Sequence, residues 1–197
     1  MHQRILMVFR RLAEKYEIKG PCLEVGASRP DKAIIGGEYF KDLKRHALNL
    51  KDLSKDYAAA SGITFHRGNS NDMRSLFPDG MFNTVISNAV LEHDRYFWLS
   101  VAEMKRILAP GGILLLGVPG FLRVAKTKVE SDDAEAEEAE AESKNPVART
   151  VGIHSPPDYW RFSPQAFKRV LLEGLELRSL NTYLDPPRII AVAQKPA

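Results

Sequence analysis

Five residues with chemical potential fall within eight positions: His154, Asp158, Tyr159, Trp160 and Arg161, in the stretch HSPPDYWRFSP. An imidazole takes up a proton near neutral pH. Aromatic rings flanked by Arg and His suit a lid over a polar acceptor. The stretch reads equally as packing, with Tyr159, Trp160 and Phe162 anchoring a loop and Arg161 paired with Asp158. A second histidine, His93, follows Glu92 in SNAVLEH. Alone, that pair is a surface acid and a histidine at a helix start; at the end of a strand, His93 becomes a candidate base or substrate contact. His93 and His154 are therefore the candidate catalytic groups, and Tyr159, Trp160 and Arg161 the candidate substrate contacts. Three further clusters carry polar side chains or flexible backbone. They are Glu24 to Ser28 (EVGAS), Asn49 to Asp52 (NLKD) and Gly68 to Met73 (GNSNDM). Gly26 permits close backbone approach to a ligand. No metal is expected.

These residues need a scaffold that gathers them. Apolar runs and helical stretches alternate along the chain, which argues for a parallel sheet with crossover helices. The first helix spans about His2 to Glu17, with Ile5, Leu6, Val8, Phe9, Leu12, Ala13 and Tyr16 at helical spacing, and Gly20-Pro21 stops it. Strands are expected at Cys22 to Val25, His46 to Leu50, Ile63 to His66, Phe82 to Ser87 and Gly112 to Val118. A helix from about Tyr96 to Leu108 ends at Pro110-Gly111-Gly112. Ser163 and Pro164 read as cap and first turn of a helix from Gln165 to Glu173. Two last strands, about Leu175 to Asn181 and Arg188 to Ala193, flank Asp185-Pro186-Pro187. So short a link makes them antiparallel, since a parallel pair needs a crossover. In open parallel sheets ligands bind beyond the carboxyl ends of the strands, so the segments after the first five strands should share one rim.

The 197 residues form a single domain, 44% hydrophobic, long enough to bury a core without staples. The one cysteine, Cys22, rules out a disulfide framework, and a cytoplasmic location is expected. No run approaches the roughly 20 apolar residues that span a bilayer. The N-terminus reads as a helix rather than a signal peptide, and Glu14 and Glu17 argue against a presequence. The net charge of +3 hides an asymmetry, because Glu130 to Ser143 holds eight acids and no base. Without them 17 acids remain against 28 Lys and Arg, a balance of +11. The bases are scattered and no recognition motif appears, which argues against nucleic acid as partner. The acidic segment, residues 130–146, has no apolar face and reads as a solvated insertion, a candidate flap or passive linker. The sequence does not fix an oligomeric state; the first helix could pack on the sheet or on a second subunit.

Three stretches together resemble a family: CLEVGASRP; FHRGNSNDMRSLFPDGMFNTVISNAVLEHDRYFWLSVAEMKRILAPGGILLLGVPG; and HSPPDYWRFSPQAFKRVLLEGLEL. They look like a class I S-adenosylmethionine-dependent methyltransferase of type 11, over about Gly20 to Ala193 without the acidic insertion. The resemblance implies an α/β, Rossmann-like doubly wound sheet of seven strands, mostly parallel with the last antiparallel. It implies S-adenosyl-L-methionine as cofactor and methyl transfer; the aromatic and polar stretch before Ser163 leans toward a polar small-molecule acceptor, with a sugar or lipid-linked intermediate and a protein side chain left open. In that family an acid at the position of Glu24 holds the loop and the methionine end. Gly26, Ala27 and Ser28 stand where three glycines are usual. Lys51 stands where an acid binds the ribose, with Asp52 one residue on, and Asn49 and Leu50 as wall residues. A one-residue slip reverses side-chain direction, so Asp52 serves there only if the chain turns at Leu50. Asn69, Ser70, Asp72 and Met73 match the adenine-reading stretch; Asp72 reads equally as a helix cap and Met73 as core. Asn88, Ala89 and Val90 match the methionine side. Two other readings compete. A nicotinamide oxidoreductase needs G-x-G-x-x-G where this chain has GASRPD. A methyltransferase-like binding or scaffold protein with a degenerate cofactor site would explain the missing glycines and Lys51.

Overall fold

Ile5, Leu6, Phe9, Leu12 and Ala13 recur at helical spacing and are buried, forming the inner face of α1 (Gln3–Lys15). The helix ends where Glu17 turns left-handed at φ 45°. The structure, a computed structural model, describes residues 3–59, 62–120, 122–123, 148–149, 158–184 and 186–197. The acidic insertion and His154 lie outside the described residues. Leu122–Arg123 and Ala148–Arg149 pair as a short antiparallel ladder.

Seven strands form one sheet: β1 (Cys22–Val25), β2 (Arg45–Asn49), β3 (Ile63–Arg67), β4 (Phe82–Asn88), β5 (Leu108–Pro119), β6 (Glu176–Leu184) and β7 (Pro187–Gln194). Their spatial order is β3-β2-β1-β4-β5-β7-β6. Strands β1 to β5 are parallel, and β7 runs antiparallel to both neighbours. The expected sheet and its reversed last strand are both present. The order reverses at β1, which pairs with β2 on one side and β4 on the other; that is the switch point where doubly wound sheets bind ligands. All four residues of β1 are buried, as a strand covered on both faces requires.

Alternate side chains feed two cores. Leu23, Val25, Val85, Leu114 and Leu116 pack on one face with α2 (Phe97–Ile107) and α3 (Pro164–Leu171). Cys22, Ala47, Ile86, Leu115 and Val192 pack on the other with α1. The link from β1 to β2 is three 3₁₀ turns rather than a helix, beginning at Pro30, Ile34 and Glu38. Ser54–Ala58 adds one short helix before β3. The expected helix after Ser163 is present: Ser163 Oγ accepts the Ala166 amide at 3.1 Å, and the helix widens to a π-turn over Phe167–Leu171. No helix starts at Asp72; the chain makes a single turn in which the Leu76 and Phe77 amides return to Met73 O.

Candidate functional site

The carboxyl ends of β1 to β4 open into a cleft of about 1010 Å³. Of the residues singled out in the sequence, Gly26, Ser28, Asn49, Leu50, Asn69, Ser70, Ala89, Val90, His93 and Tyr159 line it, and so does Lys51. Glu24, Ala27, Asp52, Asp72, Met73, Asn88, Trp160 and Arg161 stand outside the lining.

After β1 the chain bends at Gly26, whose φ is +76°. A side chain there would stand 2.2 Å from Val90 Cγ2, so the glycine admits both the turn and the segment after β4. The amides of Gly26 and Ala27 both donate to Leu48 O, at 2.8 and 3.0 Å. They continue the parallel ladder past Val25 and do not face the cleft as ligand donors. Ala27 is buried and its carbonyl accepts from Asn49 Nδ2 at 2.8 Å. Tyr57 Oη ties down Ser28 O. Glu24 is buried on the α1 face, where its carboxylate accepts the Ile35 amide at 3.0 Å. Burial pushes its carboxyl up to about 7, against the opposing pull of the Ile35 and Ile34 amides and Arg10. Glu24 thus fastens the 3₁₀ segment to the end of the sheet.

At the end of β2, Asn49 Oδ1 accepts the Lys51 amide at 2.8 Å. Asp52 Oδ1 accepts both Ser54 N (2.9 Å) and Ser54 Oγ (2.6 Å). These bonds hold the Asp52 carboxyl below its ordinary range. The strand ends at Asn49, and Asp52 is turned onto Ser54.

After β3, Asn69 Oδ1 accepts the Asn71 amide at 3.0 Å, which leaves its Nδ2 hydrogens for a ligand. Met73 is fully buried, and its amide donates to Glu103 Oε2 at 2.7 Å. Asp72 Oδ1 accepts from the Arg74 amide at 3.3 Å.

After β4, Asn88 is buried and its Oδ1 has no partner among the described residues. Ala89 lines the cleft at φ 57°, a left-handed conformation that a residue with a Cβ adopts at a cost. His93 Nε2 lies 3.7 Å from Oε1 of the buried Glu92, whose carboxyl is raised by burial. Glu92 O accepts the amides of Tyr159 (2.7 Å) and Trp160 (3.3 Å), and Trp160 Nε1 donates to Asp94 O at 2.8 Å. The segment from Asp158 onward is therefore docked along residues 92–94. Trp160 packs edge-on against Phe97 with ring centres 5.2 Å apart, and Arg161 pairs with Asp158. Tyr159 alone of the three candidate contacts reaches the cleft, under Arg95 at 5.3 Å from its ring.

Sequence reading missed one polar network. Asn71 Nδ2 donates to Asp94 Oδ2 (2.7 Å) and Ser100 Oγ (2.9 Å), and Ser100 Oγ reaches Ser70 Oγ (2.8 Å). It ties the loop after β3 to the start of α2. The signal available was Asp94, two residues before Tyr96, whose amide it caps at 2.8 Å. Among the described residues no group of His, Cys, Asp or Glu is placed to hold a metal, and no helix is long and apolar enough to cross a membrane.

Residues 33–116 match the family model described as a methyltransferase domain (type 11). No curated protein matches the chain in sequence. Among solved structures, an S-adenosylmethionine-dependent methyltransferase from Mesorhizobium loti is similar at a TM-score of 0.70, with 14% identity over 96% of each chain. The Burkholderia thailandensis 1,6-didemethyltoxoflavin-N1-methyltransferase, solved with S-adenosylhomocysteine, is similar at 0.66, with 12% identity over 98% of this chain and 78% of that one. The 4+2 cyclase SpnF is similar at 0.64, with 12% identity over 98% of this chain and 81% of that one. At such identities the likeness is one of fold. The fold is that of class I S-adenosylmethionine-dependent methyltransferases, and the methyltransferase domain model matches the part of it from residue 33 to residue 116.

Proposed function

We propose that the chain transfers a methyl group to a polar small-molecule acceptor, with the cleft above β1 to β4 as its active site. The observation that carries this reading is the convergence of ten residues, chosen from sequence alone, on one cleft at the switch point of the sheet. Its volume of about 1010 Å³ has room for a cofactor and an acceptor together. The residues present fit the cofactor. The left-handed Ala89 and the Nδ2 hydrogens of Asn69 border a space that S-adenosylmethionine would fill. Asn69 Nδ2 can donate to an adenine nitrogen. Gly26, Ser28, Ala89 and Val90 would flank the methionine end, Leu50 and Lys51 the ribose, and Asn69 and Ser70 the base.

When bound, the cofactor supplies an electrophilic methyl group on a sulfonium. The chain's own part is alignment and exclusion of water. An acceptor hydroxyl or protonated amine must also lose a proton. His93, in the cleft and backed by the buried Glu92, takes that proton at an imidazole nitrogen. Tyr159 and Tyr96 offer ring faces to the acceptor beside it. His154 remains a second candidate base from sequence alone.

A second reading, a binding or scaffold protein built on the same fold, is favoured by one observation: the Gly26 and Ala27 amides are spent on Leu48 O. Calorimetric titration with S-adenosylhomocysteine separates the two. One-to-one binding is expected, and silence up to millimolar ligand leaves only the scaffold. With an acceptor identified, His93→Ala should lower kcat by about 10²- to 10⁴-fold; unchanged turnover removes His93 from the role.

A further inference from the structure

We infer that the cleft corner at the end of β2 holds the ribose through the Lys51 ammonium, so that an adenosine bearing a phosphate on its 2′- or 3′-oxygen binds in preference to the 5′-phosphate. The inference deepens the adenosyl-binding reading above and rests on it.

Ribose hydroxyls can donate to a carboxylate or accept from an ammonium. At this corner the cleft is lined by Asn49, Leu50 and Lys51. Asn49 is engaged at both ends of its amide, with Nδ2 on Ala27 O and Oδ1 on the Lys51 amide, each at 2.8 Å. Leu50 carries no polar atom on its side chain. Asp52 is outside the lining, and Ser54 takes its Oδ1 twice. The surrounding charge is positive: Lys55 and Arg67 both act on Asp52, and Arg67 sits opposite Asn49 in the β2–β3 ladder. Asp94, the one acid among the lining residues, is engaged as well. Its Oδ1 accepts from Tyr96 N, and its Oδ2 from Asn71 Nδ2 and Ser100 Oγ. No lining carboxylate is therefore left to receive a ribose hydroxyl. What the corner offers is an ammonium on a four-carbon stem.

A carboxylate there would repel a phosphate on the ribose; an ammonium attracts it. Because Lys51 is exposed, water screens the attraction, and about a 5- to 10-fold preference is the scale to expect for a doubly charged group. The 5′-phosphate carries the same charge but leaves from the opposite side of the ribose, toward the loops after β1 and β4, so it serves as a charge-matched control.

The test is calorimetric titration at low salt with adenosine 2′-, 3′- and 5′-monophosphate and with S-adenosylhomocysteine. We expect the 2′ or 3′ isomer to bind about 5- to 10-fold more tightly than the 5′ isomer. The preference should shrink at 0.5 M salt, vanish in Lys51→Ala and return in Lys51→Arg. Because Lys51 engages Asn49 through its backbone amide, Lys51→Ala should melt at the temperature of the parent. If S-adenosylhomocysteine binds while the three isomers bind alike, or if Lys51→Ala keeps the preference, the inference is overturned and the methyltransferase reading stands. If S-adenosylhomocysteine and all three isomers fail to bind, the adenosyl reading itself falls, and this inference falls with it.

Discussion

Gly26 and Ala89 both line the cleft in left-handed backbone, one with no Cβ and one bearing it. Gly26 is tightly specified. A methyl group there must both accept φ +76° and displace Val90 Cγ2, 2.2 Å away. The backbone component alone costs about 1 to 2 kcal/mol, and moving Val90 disturbs the segment that presents His93. Gly26→Ala should therefore lower the melting temperature by several degrees and weaken S-adenosylhomocysteine binding measured by calorimetry. Adding Val90→Ala removes the contact but not the backbone strain, so the double variant should recover part of the lost melting temperature. A Gly26→Ala chain that melts and binds like the parent would show that the loop can open away from Val90. Placement at the cleft was legible in the sequence where it followed from the end of a strand, as at Gly26, Asn69 and His93. It was illegible where it depended on partners. The amide donors of Gly26 and Ala27 are absorbed by a carbonyl 22 and 21 residues further on, at Leu48. No periodicity records such a bond.

Elements were legible wherever burial repeats. The four buried residues of β1, the inner face of α1 and the tight link between β6 and β7 were all read from spacing or turn chemistry. The link from β1 to β2 was not, because three successive 3₁₀ turns leave no 3.6-residue repeat. What shapes that link is long-range: Glu24 accepts from Ile35 N, and Arg45 Nη1 donates to Ile35 O at 3.3 Å. The loop after β3 is fixed the same way. Glu103 of α2 takes the Met73 amide and is itself held by Arg106, which also bonds Phe77 O and Asp79. Helix α1 approaches the sheet so closely that β5 needs a glycine beneath it. A side chain at Gly117 would stand 2.7 Å from Phe9 Cζ and 2.8 Å from Asn88 Oδ1. Phe9 is fully buried and has nowhere to move. Overpacking at such a site costs about 1 to 3 kcal/mol. Gly117→Ala should lose that much in urea unfolding, and Phe9→Leu in the same chain should return part of it. Equal stability of Gly117→Ala and the parent would mean that α1 can lift off the sheet without cost.

Buried titratable groups on the two faces of the sheet pull stability in opposite directions with pH. On the α2 side, His46 and His66 stack at 5.2 Å with His46 Nδ1 and His66 Nε2 2.9 Å apart, enclosed by Phe77 and Phe82. His46 Nε2 has no partner among the described residues, so the neutral ring is best served by carrying its hydrogen on Nδ1, toward His66. Burial, with help from His66 and Lys44, lowers His46 to about 4, and burial lowers His66 as well. Below about pH 6.5 the unfolded chain takes up protons that the folded pair refuses. Stability contributed by the pair is whole above that value and is lost as pH falls toward 4. On the α1 side Glu24 does the reverse. With its folded carboxyl near 7, the folded chain holds a proton that the unfolded chain releases above about 4.5. Its contribution is whole below 4.5 and lost as pH rises through 7. Between pH 6.5 and 5 the His46 loss and the Glu24 gain are each about 1.5 to 2 kcal/mol and nearly cancel, so urea unfolding of the parent should show little slope there. The carboxylates held low by Arg106, Asp79 and Glu103, enter only at more acid pH. His46→Phe removes one partner of the pair and fills an aromatic cage already lined by phenyl rings. In that variant stability should rise as pH falls from 6.5 to 5, while Glu24→Gln should expose a fall by deleting an opposing group. An acid limb of equal slope in all three chains would place the proton-sensitive site elsewhere than this histidine pair.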